Sequence, residues 1–107
     1  MAKVTAGRDA LGDFAPTFAA LNDDVLFGQI WSREEQLSPR LRSIVTVTAL
    51  MSSGVLDGSL HHHLGLARTN GVTAEEMAEI LTHAAFYAGW PKAWGAFRMA
   101  KEIYEAE

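Results

Sequence analysis

The 107-residue chain contains no cysteine. That removes disulfides, thiolate nucleophiles, Fe–S clusters and CxxC redox cycling through protein sulfhydryls, and it fits a reducing compartment. An excess of positive charge is also missing. Thirteen acidic side chains face nine basic ones, for a net charge of −4, which argues against nucleic acid as a partner because phosphate binding needs a basic face. No run approaches the roughly 20 apolar residues a membrane span requires. The first nine residues lack the apolar core of a signal peptide, so the expected compartment is the cytoplasm and no membrane partner is expected. Gly-rich phosphate loops, a GxSxG elbow and a Ser/His/Asp signature are absent as well.

What remains is a globular composition, 49% hydrophobic and 21% charged, of a length that supports one modest core. A single domain over residues 1–107 is expected. Punctuation divides it into helices. Pro16 can open a short helix over residues 17–21, and Asn22-Asp23-Asp24 reads as a break that can cap the following turn. Residues 25–31 are a short apolar segment read as helical. Ser38-Pro39 pairs a hydroxyl N-cap with proline at the first helical position, predicting a helix over 39–53 that stops before Gly54. Its β-branched middle, 44–51, is apolar nearly all round, so it should be central or covered by another subunit. Asp57 caps a helix over 58–69, and Asn70-Gly71 ends it. Thr73-Ala74-Glu75-Glu76 is a capping box opening a helix over 74–88, and Pro91 opens the last, to about 105. The chain reads as an all-α bundle of about five to six helices.

Candidate chemistry centres on histidine. His61, His62 and His63 are consecutive, so on a helix they point about 100° apart and cannot converge on one ion. No carboxylate lies three or four places from His63 to complete a helical metal site. No metal is therefore expected, and His61 and His62 read as solvent-facing. His63 and His83 each sit mid-helix among apolar residues, where burial lowers an imidazole pKa and suits it to proton transfer near neutrality. The alternative is a core histidine satisfied by a backbone carbonyl. The short 70–71 turn suggests that the two helices lie antiparallel and meet near these histidines. Tyr87 shares a helix face with His83. Arg40 and Arg42 stand in the first turn of their helix, where cations oppose the dipole. They are placed either to hold a substrate carboxylate in a bidentate fork or to pair with Glu34, Glu35 or an acidic residue of a neighbouring subunit. Trp31, Trp90, Trp94, Phe86 and Tyr87 suit a core or a subunit interface.

Several blocks together resemble the carboxymuconolactone decarboxylase family of the alkylhydroperoxidase D-like superfamily. They are Trp31-Ser32-Arg33, Leu37-Ser38-Pro39-Arg40-Leu41-Arg42, His63-Leu64, and Asn70-Gly71-Val72-Thr73-Ala74-Glu75-Glu76. The most specific is Glu79-Ile80-Leu81-Thr82-His83-Ala84-Ala85-Phe86-Tyr87-Ala88-Gly89-Trp90-Pro91. The resemblance implies an all-α subunit assembling into homotrimers or homohexamers. The peroxidase branch of the superfamily carries CxxC followed by a histidine. Here Leu56 and Ser59 stand at the two cysteine positions, Ser43 and Ile44 where that branch has a glutamate, and His63 at the histidine. The resemblance therefore implies a cofactor-free decarboxylase acting on a small carboxylated lactone or cyclic acid of aromatic catabolism. His63 and His83 would be its catalytic groups, with Arg40, Arg42, Trp31 and Tyr87 binding the substrate. A non-catalytic oligomeric binding or scaffold protein of the same fold is the alternative.

Overall fold

The computed structural model describes residues 3–107, which are helical throughout apart from short connections. Its contacts divide the chain into two compact units, residues 1–38 and 39–107.

The first unit packs α1 (Ala6–Leu11) against α2 (Pro16–Ala20) and against a π-type helical segment (Leu21–Ile30) that continues α2. The break expected at Asn22-Asp23-Asp24 is not there; the chain runs through it. Asp23 explains why. Its carboxylate is 2% exposed, and instead of capping its own turn it accepts hydrogen bonds from the backbone N–H groups of Gly7 (2.8 Å) and Arg8 (3.0 Å). It thus caps α1 from sixteen residues away, satisfying first-turn donors that otherwise lack partners. Burial pushes the Asp23 carboxyl up, but the hydrogen bonds from Asn22, Arg8 and Gly7 outweigh it and hold it below the usual carboxylate range. Arg8 adds a bidentate pair with Asp24, at 3.0 and 2.7 Å. The widened turns that follow close i→i+5, as in Trp31 N–H to the Leu26 carbonyl at 2.9 Å. A Cβ on Gly28 would come within 3.3 Å of the Asp23 carbonyl, five residues back, so the missing side chain eases the wide turn. The Ser32 hydroxyl then closes the end by donating to the Gly28 carbonyl.

Gly7 makes the clamp testable. A Cβ there would lie 2.7 Å from Asp23 Oδ1 and 2.9 Å from the Ala19 carbonyl oxygen. Gly7→Ala is expected to destabilise this unit by about 1–3 kcal/mol through overpacking. The readout is faster limited proteolysis within residues 1–38 than in the parent; unchanged cleavage would contradict the clamp.

The second unit is a four-helix bundle of α3 (Pro39–Ser52), α4 (Gly58–Thr69), α5 (Ala74–Ala88) and α6 (Trp90–Glu105). The Ser38-Pro39 start, the Asp57 cap and the capping box all appear as expected. Asp57 accepts from the Ser59 N–H at 2.9 Å, and Thr73 and Glu76 exchange bonds of 3.0 and 3.1 Å. Gly54, Gly71 and Gly89 take positive φ at the three helix exits. At the end of α3, Lys92 donates to the Ser52 carbonyl at 3.1 Å, a cation on the negative end of the helix dipole. The core is built from Val47 and Met51, Leu60 and Leu64, Met77 and Leu81, and Ala96 and Ala100, one pair from each helix.

One expectation is corrected. α4 packs on α3 and α6, and α5 packs on α6 and α3; α3 and α6 also touch. The consecutive helices α4 and α5 therefore stand across the bundle from one another and do not meet along their midpoints. The turn between them explains this. Asn70 Nδ2 donates to the buried Ser43 hydroxyl on α3 at 3.0 Å, while the Tyr104 hydroxyl on α6 donates to the Val72 carbonyl at 2.8 Å. Arg68 also donates to the Ile103 carbonyl. Bonded to α3 on one side and α6 on the other, the turn spreads its two helices. Nor is α3 fully enclosed. Ser43, Val47 and Met51 are buried, whereas Leu41 and Val45 are exposed in the single chain.

Candidate active site

His63 lies on the inward stripe of α4, flanked by the fully buried Leu60, Leu64 and Ala67 at helical spacing. It is half-buried, and its Nδ1 is shielded from solvent. Its imidazole meets that of His62 edge-on, with centroids 5.0 Å apart. Burial first, and the neighbouring His62 second, push the His63 pKa below its ordinary 6.5, so the ring is neutral at pH 7. His61 and His62 are exposed, as their spacing predicts. Among the described residues, no three His, Cys, Asp or Glu side chains are grouped to hold a metal ion.

His83 faces outward on α5. It is exposed, with its ring 5.3 Å from that of Tyr87 one turn on. Phe86, Tyr87, Trp90 and Trp94 are exposed as well, and Phe86 packs edge-on against Trp90 at 5.7 Å. These rings are therefore not part of the core of the single chain. Between α5 and α6 lies an apolar cleft of about 260 Å³ lined by Thr82, Ala85, Trp90, Ala93, Trp94 and Phe97. It contains no acid or base, and neither His63 nor His83 lines it. Thr82 was not picked out by sequence reasoning. Its signal was the 82/85 spacing, which puts it on the α5 face turned toward α6.

Arg40 pairs with Glu76. The Glu76 carboxylate serves twice, accepting the Thr73 N–H in the capping box and the Arg40 guanidinium. Those two partners hold it below the usual carboxylate range. The ion pair ties the start of α3 to the start of α5. A substrate carboxylate at Arg40 would share the guanidinium with Glu76. Arg42 is half-buried with its Nε shielded from solvent. Trp31 belongs to the first unit, where it is buried and stacks on Phe27 with centroids 6.1 Å apart.

The positions that the resemblance matches to the peroxidase branch's thiols and glutamate have other duties here. Leu56 packs against the α6 backbone at Gly95, so closely that a Cβ there would be 2.8 Å from it. Ser59 sits in the first turn of α4 under the Asp57 cap. Ser43 is buried and bonded to Asn70.

The four-helix bundle with a histidine on the inner stripe of α4 and capping or packing residues at the thiol positions defines a cysteine-free protein of the alkylhydroperoxidase D-like kind. The sequence matches the model of the carboxymuconolactone decarboxylase family over residues 16–102. It is 34% identical over 102 residues to the 4-carboxymuconolactone decarboxylase of Acinetobacter baylyi, covering 95% of this chain and 75% of that one. The chain belongs to the carboxymuconolactone decarboxylase family, and that membership supports a decarboxylase-like function.

Proposed function

We propose that the protein decarboxylates a small carboxylated lactone of the 4-carboxymuconolactone kind, without a cofactor and as a homotrimer or homohexamer. The observation that carries this reading is His63, a half-buried imidazole kept neutral by its surroundings on the inner stripe of α4. In the reaction the bond between ring carbon and carboxylate breaks and CO2 leaves. The bonding pair moves into the conjugated lactone carbonyl, giving an enolate oxygen, and a proton is then delivered to carbon. One proton is consumed for each CO2 released. The conjugated carbonyl is the electron sink, so the chemistry asks the protein only for a proton donor, an oxyanion donor and a holder for the remaining carboxylate.

His63 supplies the proton. Neutral in the free protein, it becomes easier to protonate when a carboxylate binds beside it, because an adjacent opposite charge stabilises imidazolium. Substrate binding thus loads the acid it will use. A His83 N–H donates to the enolate oxygen with Tyr87 binding the substrate beside it, and Arg42 holds the second carboxylate, with Arg40 divided between Glu76 and substrate.

This predicts a sign. A saturated γ-lactone carboxylate, which has no electron sink and cannot react, should bind more tightly as the pH falls from 8 to 6, with proton uptake in calorimetry. His63→Gln should abolish both the pH dependence and the uptake. Affinity independent of pH in the parent protein would overturn the role given to His63. The apolar cleft between α5 and α6, which holds no acid or base, favours one second reading, a binding protein that takes up cyclic acids without transforming them. Ligand binding with no CO2 release would select it.

A further inference from the structure

Resting on the decarboxylase reading, the geometry points to a site made by two copies of the chain: His83 and Tyr87 on α5 of one copy close over His63 of the partner subunit. Three observations carry this. Within one chain α4 and α5 stand across the bundle, and Met51, Leu60, Leu64 and Leu81, none of them exposed, fill the interior. Neither histidine belongs to that buried cluster. Second, the His83 face is wet in the single chain. Tyr87 is 84% exposed and Phe86 76%, whereas both the loss of carboxylate charge and an oxyanion hydrogen bond gain from excluding water. Third, the face has the size of an interface. Phe86, Tyr87, Trp90 and Trp94, each more than half exposed, present on the order of 500 Å² of aromatic surface between them. A standard interface buries roughly 800 Å² on each partner, so these four rings alone supply more than half of one side. A second copy of this chain is the occupant because it brings what the face lacks, a half-buried imidazole, and because the exposed rings match the area that one side of such a contact buries.

Co-expression of His63→Gln and His83→Gln chains under two different tags, with purification through both, gives oligomers that contain each variant. Each variant alone should be inactive and retain its helical circular dichroism. The doubly purified mixture should recover about a third of the parent turnover per trimer, or roughly a sixth to a half per hexamer, because at least one junction then has both histidines intact. Binding of the saturated lactone carboxylate should recover in parallel. A mixture as inert as its two components, with the parent active, places both histidines in one chain and overturns this inference while leaving the decarboxylase reading standing. A parent protein that sediments as a monomer while active does the same. A parent that neither turns over nor binds overturns both.

Discussion

His63→Ala is expected to lower kcat/KM for decarboxylation by about 10²–10⁴-fold, the usual worth of a positioned proton donor. The thermal midpoint should hardly move. The ring is half-buried, and the packing of α4 is carried by Leu60, Leu64 and Ala67, which the substitution does not touch. His63→Gln keeps the polar outline without a titratable nitrogen and should fall as far, which separates proton delivery from shape. The measurement is steady-state turnover beside a melting curve for each variant. A loss below about tenfold in both would remove His63 from the chemistry. The stability of the parent carries a companion signature. With the native pKa of His63 held below 6.5, the unfolded chain binds the proton more readily. The contribution is fully present above about pH 6.5 and lost as pH falls through the native pKa. His63→Gln should flatten that part of the stability profile.

One residue further on, the opposite result is expected. Leu64 has no exposed surface and sits in the core shared by all four helices of the second unit. Leu64→Ala removes buried methyl groups and leaves a cavity, at a cost of about 2–5 kcal/mol. Urea unfolding should show the midpoint fall with little change in slope. A cost below about 1 kcal/mol would mean that the site collapses around the smaller side chain and the bundle is looser than its packing implies.

The helices of the second unit were legible because their boundaries are written in local chemistry. Ser38-Pro39, Asp57, the Thr73–Glu76 box and Gly54, Gly71 and Gly89 act within a few residues of themselves. Asp23 was misread because its partners, Gly7 and Arg8, are distant in sequence, and no local rule distinguishes a carboxylate that caps its own turn from one that caps another helix. The α4–α5 arrangement failed for a related reason. A short turn usually lays helices side by side, but Asn70, Arg68 and Tyr104 tie this one to α3 and α6, and such ties are set by tertiary contacts. His63 and its burial followed from its place between Leu60, Leu64 and Ala67. The exposure of Phe86, Tyr87, Trp90 and Trp94 did not, because aromatic rings at helix ends suit a core and an interface equally. Arg40 was recognised as needing a partner, yet Glu76, thirty-six residues on, is not one that spacing can select.

The most direct test is CO2 release from 4-carboxymuconolactone by the purified protein after exhaustive chelation and dialysis. Stoichiometric CO2 and the enol-lactone product, at a rate unchanged by chelation and abolished in His63→Gln, is the predicted result. No release above the uncatalysed rate, or release that returns only on adding a metal ion or cofactor, would contradict it.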